Sequence, residues 1–279
     1  MASGTLDLSS YNATVGAVSI GNAIITNTTG ILTGSGFTAT NTSAAAIYAK
    51  LAGTGGFTQS GTGITTLSAS NSFTGTTMIT NGGTLDLGGT GYLGATTAVN
   101  VSGGTLLLGG NGKVNPINNT APASLSLGNG GANASTLSLG SLDSGVTTRT
   151  ASQTFTSLTL TGNSTIDFSA LTGSSILTFS SITMNGHTLN IFDWDGSPSG
   201  GGTTQLIDTA GSGNLSSTDL ANISFYSGNG SGFLGNGSFV GNEIVPVPEP
   251  SVLIAAALLL GWLIFSQRTL LVRCVTRRS

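Results

Sequence analysis

Few residues in this 279-residue chain could do chemistry. One histidine, His187, stands in "NGHTLNIF", and one cysteine, Cys274, lies near the C-terminus. A nucleophilic triad needs nucleophile, base and orienting acid within hydrogen-bond reach of one another. Placed at the start of a strand, His187 reads as a solvent-facing turn residue. The one close carboxylate pair is Asp193 and Asp195, flanking Trp194 in "FDWDGS". At i and i+2 on a strand the two would share a face. With Trp194 they could then contact a sugar or calcium; the competing reading is a strand end around a buried tryptophan. "GGTGYLG" (88–94) has the glycine content of a phosphate loop, but neither a lysine nor a helix follows it. The residues therefore point to no catalytic group, no metal ligand set and no cofactor, and to a chain that is not an enzyme.

Whatever positions these residues must be built from an unusual composition. Glycine accounts for 44 residues and only 6% of the chain is charged, against a usual share of roughly 25%. Disordered linkers have few large apolar residues, whereas 38% of this chain is hydrophobic, spread in short alternating runs. Only one apolar run approaches spanning length, so a multi-span membrane protein does not fit either. Residues 1–250 hold three basic residues, Lys50, Lys113 and Arg149, against ten acids, a net charge of −7. The remainder holds Arg268, Arg273, Arg277 and Arg278 and no acid, a net +4. An acidic body without basic clusters argues against nucleic acid as a partner. With a single cysteine, no intrachain disulfide can form.

Hydrophobic periodicity is two, and it repeats. "GTLDL" occurs at 4–8 and 83–87, followed by "GTLLL" (104–108), "ASLSL" (123–127), "STLSL" (135–139), "TSLTL" (156–160), "STIDF" (164–168) and "HTLNI" (187–191). The steps from Thr84 to Thr105, from Thr105 to Ser124 and from Thr136 to Ser157 are each roughly 20 residues, the low end of the range for repeat architectures. Such a strand period, punctuated by glycine pairs, fits the coils of a solenoid. Equivalent leucines would stack at the inter-strand spacing of about 4.8 Å, and glycine would supply the corners. Proline is scarce because interior strands need their N–H groups. The expected fold is all-β, a right-handed parallel β-helix; an antiparallel sandwich of the same strands is the alternative. "AAAIYAKLA" (44–52) and "SSTDLANI" (216–223) are the only helix-like patches before residue 250.

Residues 61–89, "GTGITTLSASNSFTGTTMITNGGTLDLGG", carry a fuller pattern. With Asn71, Phe73, Thr74 and Gly75 at its centre and Gly83, Thr84, Leu85 and Leu87 at its close, this stretch resembles the autotransporter-associated β-strand repeat. The resemblance implies a parallel β-helical passenger displayed at a bacterial surface. Nothing in the chain is similar to the outer-membrane barrel of a true autotransporter. "MASGTLDLSS" has no basic and apolar leader, yet "GTLDL" is the closing strand of a repeat unit. The expectation is a chain that starts within the solenoid, its export signal upstream.

The C-terminal region changes regime. "VPVPEPS" (245–251) holds Pro246, Pro248 and Pro250, three of six prolines, and "VLIAAALLLGWLIF" (252–265) follows. Fourteen residues make about 21 Å of helix, short of the roughly 30 Å hydrocarbon core. Continuing to Val272 lengthens the run enough to span, with Arg268 snorkelling. The arginines that follow predict a cytoplasmic C-terminus and an external β domain. Cys274 would then lie across the membrane from His187, which removes it from any triad. Read together, Val247-Pro248-Glu249-Pro250-Ser251, the span and the stop signal of Arg268, Arg273, Arg277 and Arg278 resemble a PEP-CTERM sorting signal of Gram-negative bacteria that make exopolysaccharide. The resemblance implies export, an inner-membrane anchor, and cleavage at Pro248–Pro250 by an exosortase, with release to the cell surface or matrix.

The organisation expected is thus a repeat region (1–215), a closing segment (216–245), and a sorting signal (246–279) with one transmembrane helix near 252–272. Three functions compete. A structural or adhesive surface protein needs only a long, uncharged, hydroxyl-rich face. A carbohydrate-binding matrix protein would need exposed aromatics, of which few are out of apolar register. A β-helical polysaccharide-degrading enzyme would need clustered carboxylates with basic groups, which the body hardly has.

Overall fold

The computed structural model describes residues 1–118, 121–131 and 134–247, together with 258, 259 and 262. The described chain winds into a parallel β-solenoid of about eight coils, each visiting three faces in turn. Face one begins with Ser3–Asp7 and Asn22–Thr26 and runs, parallel and in register, to Ile223–Tyr226. Face three is an eight-stranded sheet from Ala17–Ile20 to Ile182–Thr183. Face two is broken into short sheets: Ala13–Thr14 to Lys50–Ala52, then Ser70–Asn71 with Tyr92–Leu93, then Ser152–Phe155 to Thr204–Asp208.

Alternation explains the winding. In Ala98–Ser102, Val99 and Val101 are buried while Ala98, Asn100 and Ser102 are half-buried. Along the axis the inward residues form columns: Leu85, Leu106, Leu137, Ile166 and Ile191 are direct partners on face one, all fully buried. Aromatics fill the wider levels, with Phe73 set 6.2 Å from Phe37 and 6.3 Å from Phe57. Phe155 stacks on Phe179 at 5.6 Å.

The repeat spacing needs one correction. Thr84 and Thr105 are indeed partners on face one. Thr105, however, pairs with Thr136, and Thr136 with Thr165. Ser124 and Ser157 belong to face three, where they pair with each other. "ASLSL" and "GTLDL" carry the same alternation on different faces, so the step from Thr105 to Ser124 leads from one face to another. The coil period is roughly 20 residues up to Thr105 and roughly 25 to 35 residues beyond it, still within the range of solenoid repeats. Among the added residues are 140–151 and 193–203, which leave at the corners around face two.

Residues 44–52 form no helix. They are two strands, Ala45–Ile47 and Lys50–Ala52, with Ala45, Ile47, Ala49 and Leu51 inside. Period-two burial overrides the helix propensity of alanine. The second patch does contain a helix, Ser217–Ala221, closed by a reciprocal capping box between Ser216 and Asp219. The end of the solenoid is closed by an antiparallel hairpin, Phe233–Val240 and Glu243–Val247. Its first strand pairs with face one and its second with Thr204–Asp208 of face two. Pro246 lies inside that second strand, opposite Gly237. Pairing with Thr204–Asp208 stops at Ile244, so the missing N–H interrupts nothing.

Among the described residues no helix is long and apolar enough to cross a membrane. The span expected near 252–272 lies outside them except for Leu258, Leu259 and Trp262, which are helical and exposed.

Candidate functional site: an aspartate elbow around Trp194

The strand Leu189–Phe192 of face one ends just before the aspartate pair. Asp193 takes a left-handed backbone (φ 53°), so the pair sits on an elbow instead of a strand. The elbow resets the alternation and drives Trp194 inward, to 3% exposure. Its indole meets Phe168 at 5.6 Å and Phe225 at 5.0 Å, both edge-on. The buried-tryptophan reading of "FDWDGS" therefore describes Trp194 itself, while both aspartates enter a charge network that sequence spacing did not suggest.

Asp195 accepts from both terminal guanidinium nitrogens of Arg149, at 2.9 and 3.1 Å. Arg149 is nearly buried, and its Nε donates to the Leu171 carbonyl at 2.8 Å. Burial pushes Asp195 upward, but hydrogen bonds from Arg149, Thr203 and Thr204 and the Arg149 charge outweigh it and hold Asp195 below the usual carboxylate range. Asp193 goes the other way. Burial, a hydrogen bond shared with the Asp167 carboxyl and the Asp167 charge raise it to about 6. Asp167 also accepts from Ser138 Oγ at 2.8 Å and from the Ser169 N–H at 2.7 Å. With its carboxyl raised, Asp193 can serve as a proton donor, or can simply tie adjacent coils together through Asp167.

A second charged cluster lies along the same column of face one, where Asp86, Leu107, Ser138 and Asp167 are successive partners. Asp86 is fully buried beneath the 140–151 insertion, accepting from Ser141 Oγ and from the Leu142 N–H at 3.1 Å. Burial pushes its carboxyl up. Asp143 reaches back to the Gly89 N–H at 2.7 Å. Lys113, also buried, donates to the carbonyls of Leu87 and Gly91 and lies 5.6 Å from the Tyr92 ring centre. Burial lowers it to about 8 against the pull of Asp86 and Asp143. Arg149 closes the far end of the same insertion, which is thus strapped down by charge at both ends. Sequence reading missed both clusters, because partners as distant in the chain as Arg149 and Asp195 meet only through coils of unequal length. The available signal was rarity: two of the three basic residues in 1–250, Lys113 and Arg149, sit in these clusters.

His187 follows the left-handed turn Asn185–Gly186, half-exposed, and its side chain makes no hydrogen bond among the described residues. Among the described residues no three His, Cys, Asp or Glu side chains converge to hold a metal ion. The residues that carry the repeat resemblance act in assembly. Asn71 accepts from the Leu51 N–H at 2.9 Å and donates to the Ala69 and Tyr92 carbonyls, joining three coils. At Gly83 a methyl group would collide with the Gly61 carbonyl. Of the sorting residues, Val247 ends the last strand and is exposed. Pro248, Glu249, Pro250, Ser251, Arg268, Arg273, Arg277 and Arg278, like Cys274, lie outside the described residues. No family model, curated protein or solved structure matches this chain.

Proposed function

We propose that the chain is an exported structural or adhesive protein of the cell envelope or extracellular matrix. Its C-terminal signal, Val247–Ser251 with the apolar run and the arginines, would direct it to the inner membrane and then to an exosortase-type enzyme. The observation that carries the adhesive reading is the outer surface of face three. Its strands contain no charged residue. One outward column runs Ser19, Thr38, Thr58, Met78, Asn100, Ser126, Thr159 and Thr183 in unbroken parallel register. Among the described residues the hydroxyls of that column make no hydrogen bond, which leaves them available to an external partner. A surface without charge on a body of −7 favours uncharged, hydroxylated polymers over anionic ones. We read the coil as right-handed, the hand that parallel crossovers in a twisted sheet adopt.

The sorting half is tested by the mass of the mature C-terminus in cell fractions. An end near Glu249–Pro250 supports processing, and an intact Ser279 in the membrane removes it. The adhesive half is tested by adsorption to insoluble neutral and anionic polysaccharides. Thr58→Lys with Ser126→Lys should weaken adsorption to neutral polymer without changing the melting temperature by more than a few degrees. A second reading, carbohydrate binding at a discrete site, is favoured by the cleft beside Trp194. A polysaccharide-degrading enzyme finds less support, since Asp195 is engaged by Arg149 and the Asp167–Asp193 pair stands partly covered.

A further inference from the structure

Behind the aspartate elbow lies a cleft of about 230 Å³ lined by Trp194, Gly196, Pro198, Leu234 and Pro246. One wall is the loop 196–202, "GSPSGGG", folded on itself by an antiparallel bridge from Gly196 to Gly202 and a bond from the Ser197 N–H to the Gly201 carbonyl. The other is the closing hairpin, which contributes Leu234 and Pro246. Gly196 rests directly on the indole: a methyl group there would fall 2.8 Å from Cε2, the atom bonded to Nε1, and 2.5 Å from Cζ2. The nitrogen-bearing edge of Trp194 is therefore turned toward this loop. Although the side chain is almost wholly buried, Nε1 has no hydrogen-bond partner among the described residues.

A second orphan lies under the same loop. Glu243 is 6% exposed; its Oε2 accepts from the Gly201 N–H at 2.6 Å, while Oε1 has no partner among the described residues. Buried tryptophan N–H and carboxylate oxygens are nearly always bonded, and leaving one unmet costs about 1–3 kcal/mol. Here an unmet donor and an unmet acceptor flank one loop beside an apolar cleft, the composition of a small-molecule site with a few orienting polar groups.

We infer that this cleft binds a single neutral pyranose ring. A sugar hydroxyl is both donor and acceptor, so a ring that displaces loop 196–202 from these two covered atoms accepts a hydrogen bond from the Trp194 N–H and donates one to Glu243 Oε1. Its C–H face suits Pro198, Leu234 and Pro246. The volume admits one ring, not a chain. The carboxylate of Glu243 and the acidic body disfavour uronic acids. This inference deepens the carbohydrate-binding reading and is independent of face three and of sorting. Failure of polymer adsorption leaves it intact, and its own failure leaves adsorption intact.

The test is titration of the full chain with neutral monosaccharides, with glucuronate as the charged control. It is followed by calorimetry and by the Trp194 indole N–H resonance, with that of Trp262 as internal reference. Saturable binding of a neutral sugar that shifts the Trp194 resonance is expected. Trp194→Phe, which keeps a ring between Phe168 and Phe225, should weaken binding about tenfold, the loss of one buried hydrogen bond. Pro198→Glu, at an exposed position that does not carry the fold, should abolish it. The inference is overturned if no sugar binds saturably, if glucuronate binds as well as glucose, or if both variants bind unchanged. It is equally overturned if Pro248→Gly, and no sugar, moves the Trp194 signal, because the chain's own continuation would then occupy the cleft.

Discussion

At the scale of single residues, Asp193 carries the clearest pH signature. Its folded pKa lies above that of a free carboxyl, so the folded protein holds the proton longer. The stability it contributes is full below pH 3.8 and is lost as pH rises through about 6. Asp193→Asn, which keeps the left-handed backbone acceptable, should stabilise the protein at pH 8 and be neutral near pH 3. The gain should stay below about 1 kcal/mol, since a half-exposed carboxyl is well screened. Melting curves across that range decide it; equal gains at both pH values would break the assignment. Asn71 makes the opposite case. Asn71→Ala strands one buried N–H and two carbonyls across three coils and should cost about 2–3 kcal/mol in urea melts. The aspartate pair was visible in the sequence, and so was the inward tryptophan. Arg149 and Asp167 were not, because register between coils of unequal length cannot be counted from either end.

At the scale of elements, alternation reveals which side of a strand faces the core but not which face of the solenoid the strand joins. That is why "GTLDL", "ASLSL" and "TSLTL" read as one series although they belong to two sheets. It is also why "AAAIYAKLA" looked helical: alanine and leucine suit a helix, and only their alternation, Ala45, Ile47, Ala49, Leu51, records the strands. The stacking has an energetic consequence. Leu137→Ala opens a cavity in a column held above and below by Leu106 and Ile166, where collapse is difficult, and should cost about 3–5 kcal/mol. A Gly-Ser insertion after Gly145, on the strap and between its charged clamps, should cost less than about 1 kcal/mol. Comparable losses from both changes would show that the strap carries the fold.

At the scale of the whole molecule, the two ends differ. The first coil is paired on one side only, and Leu6 and Val18 are but partly buried, beside a cleft of about 270 Å³ that reaches Ile25 and Leu32. The other end is closed by the hairpin. Amide exchange should therefore be fastest in Ser3–Asp7 and Ala17–Ile20 and slowest near Ser135–Leu160, where columns continue in both directions. Uniform protection, or slow exchange in the first coil, would contradict this polarity. The hairpin strand Glu243–Val247 has a mechanical consequence as well. It is the last described strand before the tail and bonds to two others, one continuous with face one and one belonging to face two. Tension applied beyond Val247 is thus divided between two sheets at once. A solenoid tethered at this point meets tension with a strand paired on both sides.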